Sequence, residues 1–208
     1  MIPVNAILSL GMGYCIGCLS PAAFVAKKKN VDLTAEGTKN LGATNTALVL
    51  GRYAGYFVLI FDILKSYIAY RMARRLYPAL KVAGLIAGIG VLIGHCFPVT
   101  MGFRGGKGLA SFGGLVLAHD IRAFAFLLTL GIIMAFVMNY GVYLAVTATV
   151  LFPVTCWLLH GDLMEALVCA IAGGFIFVMH LTNLRRAITG EDPIHMRDGL
   201  EKIFGKKK

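Results

Sequence analysis

The chain has 208 residues, of which 58% are hydrophobic and only 14% charged, with a mean hydropathy of +0.78 and a formal net charge of +10. A water-soluble domain carries about 25% charged residues, so a soluble globule is excluded. The positive charge does not indicate nucleic acid either. The basic residues Lys27, Lys28, Lys29, Lys39, Arg52, Arg185, Arg186, Arg197, Lys202 and Lys206–Lys208 gather in connections and at the tail. That is the distribution of a positive-inside membrane protein whose tail is drawn to anionic lipid.

The predicted elements are seven helices, near 2–26, 48–70, 79–98, 108–119, 122–138, 141–160 and 163–182. The first carries no charge, has no basic segment ahead of it and is followed by three lysines rather than a small-residue cleavage site. It reads as a retained span, not a cleavable signal peptide. The charge-free stretch 124–159 covers 36 positions, enough for a hairpin of two spans at about 20 residues each. The fourth helix is too short to cross alone and follows a glycine-rich turn. It is expected to be short or re-entrant, with its ends buried in protein. The fold class expected is an all-α integral membrane protein of about seven transmembrane helices, one of them short, with glycine-rich cytoplasmic loops and a single domain over 1–208. No internal duplication is evident.

An odd number of crossings places the N-terminus outside and the C-terminus inside. The 27–47 loop, the 99–108 loop and the tail then share the cytoplasmic side, with fourteen basic residues once Arg52 is included. Arg71, Arg74, Arg75, Lys81 and Arg122 lie opposite. The Arg71–Lys81 cluster runs against the rule, and the sequence offers no account of it. Cys15-Ile16-Gly17-Cys18 has the spacing of a redox or zinc half-site, but no second pair accompanies it. In a small-residue span it is expected to pack against a neighbouring helix, and no metal or cofactor is predicted.

Three polar segments interrupt the apolar chain, and this topology brings them to one face. The first is Gly37-Thr38-Lys39-Asn40-Leu41-Gly42-Ala43-Thr44-Asn45, just ahead of a long helix. Thr or Asn there caps free N–H groups, and the same groups attract anions. The second is Gly94-His95-Cys96-Phe97-Pro98 followed by Gly102-Phe103-Arg104-Gly105-Gly106-Lys107-Gly108. Its glycines permit close backbone approach and are expected to turn several amides toward one point. Arg104 and Lys107 add one forked and one compact cation. The segment is not a Walker A loop, because Gly108 stands where a magnesium-binding Ser or Thr belongs. The third is His180-Leu181-Thr182-Asn183-Leu184-Arg185-Arg186, then Gly190-Glu191. His180 and Asn183 share a helix face, and packing or interfacial anchoring is an equal reading of that segment.

No nucleophile–base pair stands out, no Gly-x-Ser-x-Gly elbow occurs, and no His is followed by Asp at the His-x4-Asp spacing. A reaction at this site must therefore use an already activated substrate, held by charge and amide dipoles.

Taken together the segments resemble the bacterial acyl-phosphate-dependent glycerol-3-phosphate acyltransferase family (PlsY). The middle segment carries most of the resemblance. Asn40, Gly42-Ala43-Thr44-Asn45 and Asp62-x-x-Lys65 match a first motif, and His180, Asn183, Arg186, Gly190 and Glu191 a third. The resemblance implies transfer of an acyl chain from acyl phosphate to the sn-1 hydroxyl of glycerol 3-phosphate, giving lysophosphatidate for phospholipid synthesis. It implies catalytic roles for Lys107, His180, Asn183 and Asn45. It implies substrate or phosphate binding by Thr38, Asn40, Gly42, Thr44, His95, Gly102, Arg104, Gly105, Gly106, Gly108 and Glu191. The implied setting is the bacterial inner (plasma) membrane, multi-pass, with the active face cytoplasmic. The partners are the two substrates and membrane lipid, with no cofactor and no metal.

The chain departs from the family pattern where Leu48 and Leu181 replace expected arginines and Asn139-Tyr140-Gly141-Val142 replaces an Arg-Tyr-x-Ser turn. Each lost charged contact costs about 1.5–3 kcal/mol. A second reading is thus a catalytically impaired relative that binds acyl phosphate or acidic phospholipid, or takes another acceptor. A transporter of phosphorylated metabolites with a broken-helix site is a third reading, weakened by the absence of a repeat.

Overall fold

The computed structural model describes residues 4–191 together with Met196. Arg197, Lys202 and Lys206–Lys208 of the expected basic tail lie outside the described residues. The chain forms two compact units that meet in sequence between Ile121 and Arg122. The described residues form α-helices, a 3-10 turn at Val99–Met101 and connections of which that over 30–42 is long, and four stretches are long and apolar enough to cross a membrane: Val4–Lys29, Ala83–Met101, Val142–His160 and Leu163–Ile188.

In the first unit the predicted 2–26 helix is broken. Helix α1 (Val4–Gly17) stops, and α2 (Pro21–Lys29) starts afresh. Ser20 caps α2 by accepting the Ala23 amide at 3.2 Å, and Pro21 supplies a preset first-turn backbone. Lys27, Lys28 and Lys29 fill its last turn, where the helix dipole favours cations. The predicted 48–70 helix is also two elements. Helix α3 (Ala43–Leu50) ends at Gly51, whose φ of 93° only glycine adopts easily, and α4 (Arg52–Leu76) continues beyond it. Because α4 runs to Leu76, Arg71, Arg74 and Arg75 lie on a helix rather than in a loop.

Helix α5 (Ala83–Cys96) packs on α1 through reciprocal small residues. A side chain on Gly13 or Gly17 would strike the carbonyls of Ala87 or Val91, and one on Gly90 or Gly94 would strike those of Leu10 or Tyr14. Both helices thus use a Gly-x-x-x-Gly face, which lets backbones approach where lipid supplies no hydrophobic drive. The register 13 to 87 and 17 to 91 makes α1 and α5 parallel. Helix α6 (Leu109–His119) packs along α4, with Gly114 against the Ile63 carbonyl. At 11 residues it is about 16 Å long, short as expected.

In the second unit α7 (Ile121–Val137, beginning one residue before the unit boundary), α8 (Val142–His160) and α9 (Leu163–Ile188) follow in order. Gly173 of α9 lies on the Thr149 carbonyl of α8, and Cys156 and Cys169 place their sulfurs 3.5 Å apart. Asp162 caps α9 by accepting the Glu165 amide at 3.0 Å. Helix α9 extends to Ile188, six residues beyond the expectation of 182, so Asn183, Arg185 and Arg186 join His180 within the helix rather than following its end.

Candidate functional site

The site of the first unit rests on a buried polar cluster. Asp62 and Lys65, three apart on α4, place an oxygen 2.6 Å from the ammonium, with both side chains 2% exposed. Lys65 Nζ is also 2.8 Å from His95 Nδ1, and it donates to the Leu19 carbonyl at 3.0 Å and the Gly17 carbonyl at 3.4 Å. Ions this deep persist only when paired and hydrogen-bonded. One ammonium therefore ties together the C-terminal end of α1, the middle of α4 and the last turn of α5.

The glycine loop is laid over the end of α5. Gly106 donates its amide to the His95 carbonyl at 3.1 Å, and Gly105 donates to the Cys96 carbonyl at 3.0 Å. A Cβ on Gly105 would meet the His95 carbonyl and Pro98; one on Gly106 would meet His95 Nε2 and, at 2.6 Å, the Leu41 carbonyl. The amides of Gly102, Phe103 and Arg104 bond the carbonyls of Val99, Pro98 and Met101. This corrects the expectation that the glycines aim their amides at a ligand. All five amides from Gly102 to Gly106 are committed to backbone, because the segment satisfies its own polar groups next to apolar helices. The anion-attracting amides are those from Gly108 onward. Gly108, at φ 80°, begins α6 without any side-chain cap. Lys107 is half-buried immediately before it, and Arg104 is exposed at the rim.

The loop ahead of α3 reaches the same place. Leu33 and Leu41 bury their side chains in a cluster with Ala22 and Ala26 of α2 and Val58 of α4, with Met101 packed against it. Asn45, fully buried, accepts the Thr38 amide at 2.6 Å and donates to the carbonyls of Leu33 at 2.8 Å and Glu36 at 3.1 Å. These three hydrogen bonds all shape this loop, so Asn45 lies beneath the site as a scaffold rather than at its surface. Thr38 and Thr44 are exposed, while Asn40 and Gly42 are half-buried, with Asn40 Nδ2 3.0 Å from where a Gly42 Cβ would be. Thr34 donates its amide and hydroxyl to the exposed Asp32 carboxylate, which holds that group below the ordinary carboxylate range.

The predicted residues Thr38, Asn40, Gly42, Thr44, Asn45, His95, Gly102, Arg104, Gly105, Gly106, Lys107 and Gly108 are thus brought to one end of the first unit, where α1 and α5 finish and α6 begins. His95 is 8% exposed and lies beneath the loop, which makes it a support for the loop. In the second unit, His180 is 6% exposed and its Nδ1 is 2.9 Å from the Ile176 carbonyl. A carbonyl only accepts, so Nδ1 carries the proton and Nε2 is the acceptor in the neutral ring. Asn183 is half-buried one turn later on α9, and Glu191 is exposed. Sequence reasoning passed over Leu33 and Leu41 as anchors, and placed Asp62 and Lys65 in a motif without a physical role. Two opposite charges three apart in an apolar helix were the available signal.

The chain as a whole is similar to known proteins. A family model described as "Glycerol-3-phosphate acyltransferase" matches residues 7–190. A relative from Desulfotalea psychrophila, named glycerol-3-phosphate acyltransferase, is 31% identical over 186 residues, covering 87% of this chain and 93% of the relative. The crystal structure of PlsY (YgiH), an integral membrane glycerol 3-phosphate acyltransferase, in its glycerol 3-phosphate form matches with a TM-score of 0.87 and 26% identity over 97% of this chain and 99% of that one. Its lysophosphatidic acid form matches with a TM-score of 0.82 and 27% identity over 90% of this chain and 93% of that one.

Proposed function

The chain belongs to the glycerol-3-phosphate acyltransferase family, and from that premise we propose that it acylates glycerol 3-phosphate from an acyl phosphate donor. The observation that carries the reading is the meeting of two polar loops at Leu41 and Gly106, beside Lys107, Arg104 and the uncapped start of α6. Two phosphates must be held close together for this reaction. Lys107, Arg104 and the amides from Gly108 onward supply positive potential for them, and Thr38, Asn40 and Thr44 supply hydroxyl and amide groups at the facing loop.

The chemistry needs no covalent enzyme intermediate, because an acyl phosphate is a mixed anhydride. The sn-1 hydroxyl oxygen of glycerol 3-phosphate attacks the carbonyl carbon, and the bond from that carbon to the phosphate oxygen breaks. The hydroxyl proton passes to the departing phosphate, giving lysophosphatidate and inorganic phosphate. The protein contributes orientation and charge. Asn45 and His95 act by positioning the two loops. For His180, Asn183 and Glu191 the proposed catalytic and binding roles come from the family resemblance, not from any distance. Lys39 and Arg52 offer substitute charge for the arginine missing at Leu48.

The proposed setting is a bacterial inner membrane crossed about seven times by one functional domain, with the loops of the first unit on the cytoplasmic face. Purified protein supplied with palmitoyl phosphate and glycerol 3-phosphate releases phosphate and lysophosphatidate, and Lys107→Ala abolishes this. Absence of product with acyl phosphates of every chain length overturns the reading, as does equal turnover from an acyl thioester alone.

A further inference from the structure

The first unit carries a second concentration of positive charge, at the end of the helices away from the loops. Tyr70 packs its ring on Gly84, at the start of α5, and its hydroxyl is 3.1 Å from His119 Nδ1, at the end of α6. The polar loops lie where α5 finishes and α6 begins. Connectivity alone therefore sets Arg71, Arg74 and Arg75 apart from Lys107 and Arg104.

Arg74 and Arg75 lie three and four residues after Arg71, which puts both beside it on one side of α4. All three are exposed, and among the described residues none is paired with a carboxylate. Like charges at this spacing repel. The helix dipole favours Arg74 and Arg75 in the last turn, but it does not reach Arg71, one turn earlier. They line a cleft of about 310 Å³ together with Tyr70, Ala118 and His119. A second cleft of about 500 Å³ shares Arg71, Ala118 and His119 and continues along Ile63, Leu64, Tyr67 and Leu117, between α4 and α6. Asp120 lines this second cleft but not the first. The surface is thus polar and cationic at one end and apolar along its length.

We propose that this paired cleft is a binding site for an anionic phospholipid, with the headgroup phosphate among Arg71, Arg74 and Arg75 and an acyl chain along Ile63, Leu64, Tyr67 and Leu117. Guanidinium groups match a phosphate bidentately, and three of them around one anion relieve their mutual repulsion. The apolar extension distinguishes a lipid from free phosphate, which has nothing to place against Leu64 and Leu117. The site also accounts for a basic cluster on the side where the charge rule disfavours one.

The test uses the full chain in detergent, examined by native mass spectrometry with phosphatidylglycerol and phosphatidylcholine of identical acyl chains. Phosphatidylglycerol is expected to be retained about tenfold or more over phosphatidylcholine. The combined Arg71→Gln, Arg74→Gln, Arg75→Gln variant is expected to lose that preference, while Lys27→Gln, Lys28→Gln, Lys29→Gln retains it. The single Arg71→Gln and Arg74→Gln variants, each expected to weaken the preference, serve if the triple change reduces helix content. Equal retention of the two lipids overturns the proposal, and so does an unchanged preference in the arginine variants. Titration with inorganic phosphate separates the sources: displacement of the lipid by millimolar phosphate, with the same arginine dependence, overturns the lipid in favour of a soluble anion.

Discussion

The carbonyl of His95 accepts the Gly106 amide, and the His95 ring occupies the space a Gly106 side chain would need. Helix end and loop are thus one element, fixed by main-chain bonding and by the absence of a single carbon atom. Gly106→Ala must push aside the imidazole and the Leu41 carbonyl together. A displacement of about 1 Å in catalytic groups lowers rates about a hundredfold. We expect a kcat/KM loss of that order for Gly106→Ala. Gly102→Ala meets open space and only the left-handed backbone penalty, about 1–2 kcal/mol, so it should be the milder of the two. Steady-state kinetics on both variants compares them.

Lys65 and Asp62 form a buried pair, so removing one partner leaves the other uncompensated. Lys65→Met or Asp62→Leu alone should lower stability by about 3–5 kcal/mol. The double substitution should recover much of that loss. Detergent-solubilised thermal or denaturant unfolding reads the three variants, and a double variant no better than the worse single one would falsify the pairing.

Asn45 has three backbone partners and no exposed surface. Asn45→Ala strands the Thr38 amide and the Leu33 and Glu36 carbonyls, at about 1–3 kcal/mol for each group that water cannot reach. The expected signature is faster amide exchange over residues 33–41 with helix content unchanged, together with reduced turnover. Turnover lost with exchange unaltered would instead assign Asn45 to the chemistry itself.

The faces of α1 and α5 differ sharply in their tolerance. Gly90→Ala strikes the Leu10 carbonyl and should destabilise by about 1–3 kcal/mol. Gly11→Ala, with nothing within 4 Å, should stabilise by about 0.5–1 kcal/mol through helix propensity. Thermal unfolding of the two variants checks the difference in sign.

Asp32 contributes a pH dependence of known sign. Its folded-state pKa lies below the ordinary 3.8 because Thr34 donates two hydrogen bonds to the charged form. The contribution is therefore complete above the unfolded value and is lost as pH falls through the folded one. Thr34→Ala should raise the Asp32 pKa toward 3.8, read by carboxyl NMR titration.

Much of this was legible in the sequence because lipid imposes simple rules. Uninterrupted apolar length announced α5, α8 and α9, and the clustering of glycine with Arg104 and Lys107 announced the loop. What escaped was decided by bonds between distant positions. Ser20 and Pro21 broke the first helix by local capping, a signal present at residue level but outvoted by hydropathy. Gly51 split α3 from α4 for the same reason. The purpose of Gly105 and Gly106 could not be read, since the carbonyls they cover, His95, Cys96 and Leu41, include one more than sixty positions away in the chain.

The commitment of all five amides from Gly102 to Gly106 to main-chain carbonyls has a kinetic consequence. Fixing a residue's backbone costs about 1–2 kcal/mol, and here folding has already met that cost before substrate arrives. In the proposed reaction, phosphate binding beside this loop then needs no ordering of residues 102–106, and its rate should follow diffusional encounter and the field of Arg104 and Lys107. Raising ionic strength should accordingly slow association while leaving dissociation nearly unchanged.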